Sequence, residues 1–285
     1  MKISEILKNK DITISCEIFP PKLHTELEQS RKIVSEIAKL SPDFISVTYG
    51  AAGTTASFTS ELAEEVENCG IASLAHVTCV SSDELTLDKY LETLKTHNID
   101  NILALRGDMP SGYEPKKVYT HASDIVRAIK AKGDFCVGGA CYPEGHPESS
   151  TIAADIDNLK IKAESGCEFF TSQMFFDNEV MYSFLSKFQR KGINIPVIAG
   201  IMPITSANQL RRSVMLSGTT IPRSLREIVE RFGDNPTAMK QAGIAFATNQ
   251  IVDLIANGVN NIHIYAMNKP DVASKIFDNV SSIII

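Results

Sequence analysis

Several chemical signatures are missing from this chain of 285 residues, and each absence removes a class of function. Its six cysteines, Cys16, Cys69, Cys79, Cys136, Cys141 and Cys167, are scattered with no C-x-x-C pair and no regular spacing. That pattern signals neither a disulfide framework nor a zinc site, and it reads as reduced thiols in a cytoplasmic protein. No H-E-x-x-H or H-x-x-x-H spacing occurs, so no metal is expected. Apolar runs of about 18 residues or more are absent. Charges also break the amino end, MKISEILKNKDITIS, before a secretory core develops. The expectation is a chain that neither crosses nor is anchored to a membrane. A basic excess is lacking too: 28 Lys and Arg stand against 34 Asp and Glu, a net charge of -6. Such a surface has no overall field to attract nucleic acid or anionic lipid. No repeat, low-complexity tract or linker interrupts the chain.

What remains is a pattern of short apolar runs closed by Gly, Pro or Asn. They are ITISCEIF (12–19), FISVTYG (44–50), ASLAHVTCV (72–80), NILALRG (101–107), FCVGGACY (135–142), EFFTSQMF (168–175), NIPVIAGI (194–201) and NIHIYAMN (261–268). These read as strands. Helical periodicity lies between them, as in 26–40, 82–97 and 156–166, the last closed by Gly166. Eight alternations over this length predict an α/β fold, a single (β/α)8 TIM barrel spanning 1–285. The competing open, doubly wound sheet lacks its fingerprint. No G-x-G-x-x-G follows the first strand, and GAAGTT (50–55) has the wrong glycine spacing. The interval 202–260 exceeds one crossover, and 221–233 followed by 241–258 predicts an additional helix before the last strand.

Barrel enzymes carry their chemistry at the carboxyl ends of the strands. Here those ends hold Glu17, Thr48, His76, Arg106 with Asp108, Tyr142 with His146, Gln173, and Asn268 with Lys269. Glu17 sits in CEIFPPK (16–22), where Pro20 and Pro21 end the strand. It is either a carboxylate satisfied by a neighbouring cation or a buried acid of raised pKa. In ALRGDMP (104–110), the default is an Arg-Asp pair at a turn. Alternatively, Gly107 permits close backbone approach and Arg106 offers a fork for phosphate. Within DIDNLKIK (155–162), helical spacing puts Asp155, Asn158 and Lys162 on one face, either solvated or turned to a shared ligand. Gln173 carries an amide able to read the donor and acceptor edge of a heteroaromatic ring.

Seven segments, EIFPP, VTYGA, AHVTC, LRGD, YPEGHPE, SQMFFD and GIMP, stand in the order of motifs of one family. From Glu17 to about Lys269 the chain resembles the methylenetetrahydrofolate reductases, in their short bacterial form without a regulatory domain. The resemblance implies a barrel with non-covalent FAD that reduces 5,10-methylenetetrahydrofolate to 5-methyltetrahydrofolate in one-carbon metabolism and methionine biosynthesis. Carried over by position, the general acid falls on Glu17, with Asp108 and Gln173 also catalytic. Flavin contacts fall on Thr48, Tyr49, Ala51, His76, Arg106, Gly107, Asp108, Ala122, Tyr142, His146, Asp155, Asn158 and Lys162. Folate contacts fall on Asp108, Gln173 and Gln209, to which strand eight adds Lys269. NADH or NADPH is the expected electron donor, and a homo-oligomer is expected, with a redox partner subunit as another source of electrons. Family members often have Arg in place of Lys269, an aromatic residue near Ser213 and a basic one at Ile161. Two other readings stay open: a flavin-free barrel methyltransferase, and a reductase-like subunit that only docks onto a redox partner.

Overall fold

Along strand β1 (Thr13–Ile18) the side chains alternate, with Ile14, Cys16 and Ile18 on one face and Thr13, Ser15 and Glu17 on the other. All six residues are buried. Burial on both faces is the mark of a parallel sheet covered on each side. The computed structural model describes residues 1–50, 56–107 and 118–284. Among the described residues eight parallel strands form a closed barrel: β1, β2 (Phe44–Val47), β3 (Ala72–Thr78), β4 (Asn101–Leu105), β5 (Cys136–Cys141), β6 (Phe169–Ser172), β7 (Val197–Ile201) and β8 (Asn261–Ile264). All eight expected strands are present. The ladder that pairs β1 with β8, from Thr13 with Asn261 to Cys16 with Ile264, closes the ring and rules out an open sheet.

Helices α2 (Leu27–Ala38), α3 (Ala56–Asn68), α4 (Glu84–Thr96), α5 (Ala122–Lys132), α6 (Ile152–Glu164) and α7 (Asn178–Arg190) follow the strands in turn. Their starts are chemically marked. Asp83 accepts from the Thr86 N–H at 2.8 Å to open α4, and Thr151 accepts from the Ala154 N–H at 3.1 Å to open α6. Such caps satisfy amides that the first helical turn leaves unpaired. The outward residues Ile14, Ile18, Ile45, Val47, Val77, Val137 and Ile264 pack against helix residues including Val34, Ile37, Leu62, Leu91, Ile125 and Phe184. This annulus is the main core.

A further helix, α1 (Ile3–Asn9), precedes β1 and was not expected from the charged amino end. Ile3, Ile6 and Leu7 fall at i, i+3 and i+4, giving one apolar face. Seven residues are too few to hold a helix alone in water. Burying those side chains, each contributing about 1.5–3 kcal/mol, stabilises it. They pack with Phe44, Leu74, Leu103, Cys136, Phe169 and Ile198, which fill the barrel interior at its amino-terminal end. Asn101 secures the plug by accepting from the Ile3 N–H at 2.8 Å and donating to Met1 O at 3.0 Å.

Between β7 and β8 lie three helices, α8 (Ala207–Ser217), α9 (Arg223–Phe232) and α10 (Pro236–Ala256), where the sequence indicated two. Helix α10 begins earlier than expected because Asn235 caps it and Pro236 suits the first turn. Gly243 lets α10 lie directly on the chain leaving β7, where an added Cβ would stand 1.7 Å from Ile204 O. That contact fixes the Ile204-Thr205 backbone at the barrel mouth. Helix α11 (Pro270–Val280) completes the fold.

Candidate active site

Above the apolar layer of Leu74, Leu103 and Phe169, the inward side chains turn polar. Glu17, Ser46, His76, Thr171, His263 and Tyr265 line a cavity of about 1080 Å³ at the carboxyl ends of the strands. Thr48, Tyr49, Arg106, Gly107, Ala122, Tyr142, His146, Lys162 and Gln173 line the same space. Most of the residues singled out in the sequence therefore converge. Ala51 and Asp108 lie outside the described residues.

Glu17 is at the bottom of this cavity and only 8% exposed. Burial in an apolar surrounding disfavours its charged form and pushes the carboxyl up to about 8, and a hydroxyl of Ser46 donating to it acts in the opposite direction. Among the described residues the nearest basic group is His76, whose Nε2 stands 3.9 Å from Glu17 Oε2. Burial lowers His76 to about 3, so at neutral pH it is an uncharged imidazole rather than an ion-pair partner. His263 is lowered to about 3 by burial and then by His76. Around it, Ser15 Oγ lies 2.7 Å from Nδ1 and Ser46 Oγ 3.2 Å from Nε2. Tyr265 donates its hydroxyl to Ser172 O at 2.6 Å. Among the described residues, His76, His263 and Tyr265 around this raised carboxyl are all uncharged near pH 7.

One rim of the cavity is cationic. The Arg106 guanidinium grips Glu148 with both terminal nitrogens, one contact measuring 2.9 Å. Gly107 has φ +89, and a Cβ there would stand 2.7 Å from Thr78 Cβ, so the backbone after β4 packs tightly on the exit of β3. Lys162 reaches in from α6 and donates to Ala140 O. Burial lowers its pKa. The rings of Tyr142 and His146 meet edge to face at 4.7 Å. Asp155 is buried beside them, accepting from the His146 N–H at 3.1 Å and from Ser149 Oγ at 3.3 Å, and so braces the loop after β5. Asn158 is exposed on α6 and absent from the cavity wall. At about 100° per residue, Lys162 comes within about 20° of Asp155 while Asn158 is displaced by about 60°. Of the three residues expected to share a ligand, Lys162 alone lines the cavity.

Gln173 lines the cavity and accepts from the Met174 N–H at 2.9 Å. Lys269 Nζ donates to Thr205 Oγ1 at 2.7 Å, and Thr205 Oγ1 donates to Gln209 Oε1 at 3.0 Å. Thr205 therefore joins Gln209 and Lys269, two of the residues expected to meet folate, and neither of them lines the cavity. Ser213 donates to Met202 Sδ at 3.2 Å, and Met202 lines the cavity. Ile161 is exposed.

Reading strands as apolar runs overlooked Ser46, Thr171, His263 and Tyr265. Their signal was alternation: Asn261, His263 and Tyr265 interleave with Ile262, Ile264 and Ala266, as Ser15 and Glu17 do with Ile14 and Cys16. Two buried polar atoms on this wall, His76 Nε2 and Thr171 Oγ1, have no hydrogen-bond partner. Buried polar groups ordinarily find one. Together with the cations at the rim, they suit a large ligand with polar ring edges and phosphate oxygens. Among the described residues, no three His, Cys, Asp or Glu side chains are grouped to hold a metal. No described helix is long and apolar enough to cross a membrane. The cysteines are free thiols, and all but Cys69 are buried.

The fold is shared with the solved structure of an uncharacterized protein from Clostridium thermocellum that binds two copies of 5-methyl-5,6,7,8-tetrahydrofolic acid. Its TM-score is 0.71 at 18% identity, over 99% of both chains. The 5,10-methylenetetrahydrofolate reductase of Buchnera aphidicola is 34% identical over 280 residues, 96% of this chain and 94% of that one. Methylenetetrahydrofolate reductase (NADH) 1 of Arabidopsis thaliana is 32% identical over 99% of this chain and 50% of its own. The chain thus spans about half the length of the plant relatives and nearly all of the Buchnera one. The family model described as methylenetetrahydrofolate reductase matches residues 2–281. With a match over residues 2–281, and with Glu17, His76, Arg106 and Gln173 gathered around one cavity, the chain belongs to the methylenetetrahydrofolate reductase family.

Proposed function

We infer that the protein reduces 5,10-methylenetetrahydrofolate to 5-methyltetrahydrofolate with FAD bound non-covalently in the cavity and NADH or NADPH as electron donor. The observation that carries this reading is Glu17, a buried carboxyl on the cavity floor that burial keeps protonated at neutral pH. Reduction of the methylene bridge requires the five-membered ring of the substrate to open, and the departing nitrogen must take up a proton. A neutral carboxylic acid is the group for that task. Glu17 supplies the proton, and opening leaves an iminium carbon ready to accept hydride. Asp108 is assigned to favour the resulting cation by charge complementarity. Gln173 orients the pterin through its amide, while Gln209 and Lys269, linked through Thr205, hold the remainder of folate.

When bound, FAD supplies the hydride that this chemistry needs and recovers it from the nicotinamide. Lys162 and Arg106 are the cations suited to its diphosphate, and Arg106 shares its fork with Glu148. Thr48, Tyr49, His76, Gly107, Ala122, Tyr142 and His146 line its wall of the cavity. Ala51, Asp155 and Asn158 complete the assignment, Asp155 by bracing the His146 loop. The test is direct. The purified protein should be yellow, and it should oxidise NADH or NADPH in the presence of methylenetetrahydrofolate. A colourless protein that neither binds added FAD nor turns over would favour a flavin-free methyltransferase. A yellow protein reduced only by another protein would favour a partner-dependent subunit.

A further inference from the structure

Of the two unpartnered polar atoms on the cavity wall, His76 Nε2 is the one that faces an ionisable oxygen, with Glu17 Oε2 standing 3.9 Å away. His76 on β3 and Glu17 on β1 both line the cavity, and their exposures are only 4% and 8%. The separation is too long for a hydrogen bond, and closing it to the roughly 2.9 Å of one takes about 1 Å of side-chain movement. Tyr90 donates its hydroxyl to His76 O at 3.0 Å, which fixes the strand that carries the ring. The gap matters once Glu17 gives up its proton, because a carboxylate is then left where little water reaches. A buried charge needs hydrogen bonds or an opposite charge. Ser46 supplies one donor, and a carboxylate can accept several. Tyr265 gives its proton to Ser172 O, which leaves His76 as the next group able to donate.

A neutral imidazole carries a single N–H. Were that proton on Nδ1, the bare Nε2 would draw the Glu17 proton away from a substrate, and its lone pair would then face the carboxylate left behind. With the proton on Nε2, the ring donates to Oε2 and the acidic proton stays on the other oxygen. We propose that His76 is a positioning residue whose Nε2–H donates to Glu17, leaving the proton of the acid to the substrate and closing on the carboxylate as it forms. This deepens the reading of Glu17 as general acid and rests on it. A hydrogen bond that strengthens as charge develops favours the transition state over the ground state, which is how it raises a rate. Among the described residues, the other ionisable groups around the pair are His263 on β8, Tyr265 after it and Tyr90 on α4. Burial keeps all three uncharged near pH 7.

The experiment is nitrogen-15 NMR of the imidazoles in the full chain as purified, without folate, with the His76 signals assigned by their loss in His76→Gln. Nε2 should carry the proton at neutral pH. Its shift should move as pH rises through the ionisation of Glu17, and that movement should be absent from Glu17→Gln. Carbon-13 NMR of the Glu17 carboxyl gives the reverse view. In His76→Leu, which removes the donor, the midpoint should rise by about one pH unit. In His76→Gln the side-chain amide can donate in place of Nε2, and the midpoint should return toward wild type. A His76 proton found on Nδ1, an Nε2 signal indifferent to Glu17, or an unchanged midpoint in His76→Leu would each overturn the proposal. If a His76 variant does not fold, the tautomer and its response in the wild-type chain and in Glu17→Gln still decide. Should Glu17→Gln leave folate turnover intact, the acid role falls, while the Nε2 signal still judges the relation of His76 to Glu17.

Discussion

The side-chain amide of Asn268 brackets the backbone of Phe19, accepting from its N–H at 2.8 Å and donating to its carbonyl at 3.0 Å. It continues the β1–β8 pairing beyond Cys16 and Ile264, where the main-chain ladder ends. Its effect is to hold the exit of the strand that carries Glu17. Asn268 has φ +54, a left-handed conformation that Asn tolerates better than most residues. Asn268→Gly keeps the backbone conformation and removes only the bracket. It should lower stability by about 1–3 kcal/mol in urea unfolding. Folate turnover should fall with it, while FAD content is retained. Unchanged stability would mean that the proline pair holds this exit without help.

Glu17→Gln preserves the shape of the acid and removes the proton. Folate turnover should drop by about 10²–10⁴-fold, the usual contribution of a general acid. Reduction of bound flavin by the nicotinamide should proceed almost as in wild type. Stopped-flow measurement of the two half-reactions separates these effects, and equal loss in both would remove Glu17 from the acid role.

The same burial makes stability depend on pH, in two windows. Glu17 is raised from an ordinary 4.5 to about 8, so between those values the folded state binds more protons than the unfolded one. Its contribution to stability is therefore full below 4.5 and is lost as pH rises through about 8. His76 and His263 are lowered from 6.5 to about 3, so their contribution is lost as pH falls below 6.5. Glu17→Gln should accordingly gain on wild type as pH rises from 4.5 to 8 and keep a constant lead above it. Melting temperatures of both proteins across that range provide the check. A gap independent of pH would show that Glu17 ionises as an ordinary carboxyl.

At the cationic rim, Lys162→Ala and Arg106→Ala should each weaken FAD retention by roughly ten- to a hundredfold, the loss of one charge-assisted contact. Glu148→Gln should do the reverse, because the carboxylate competes for the Arg106 fork. Fluorescence titration of the apoprotein with FAD measures all three. Unaltered affinity in both cation variants would place the diphosphate elsewhere.

Lys269→Met removes the charge and the bond to Thr205 that reaches Gln209. The Michaelis constant for folate should rise about tenfold, the effect of about 1.4 kcal/mol of binding, with flavin reduction unchanged. Steady-state kinetics that stay the same would leave Lys269 as a link between β8 and the loop after β7.

The eight strands and their order were legible from local chemistry, because a parallel barrel strand must be apolar on the face that meets the helices. Pro20, Pro21 and Gly107 marked where strands end for an equally local reason, their backbone limits. Helix α1 was obscured by its charges, since only the barrel floor against Ile3, Ile6 and Leu7 makes so short a helix stable. The candidate acid was visible as a lone carboxyl in an apolar run, whereas its protonation was not. That depends on how completely β1 is covered from every side, and on His76 being buried as a neutral ring at 3.9 Å instead of serving as a cation. Likewise, the sequence placed Gln209 and Lys269 far apart, and while the resemblance assigned both to folate, nothing in it pointed to Thr205 as the link between them. Closure of β8 onto β1, with α10 lying against the Ile204-Thr205 backbone at Gly243, is what brings Thr205 between them. Residue types and their spacing determined which elements form. Proximity across the barrel, and the loss of water that closure imposes, decided which side chains share a site and which of them hold a proton.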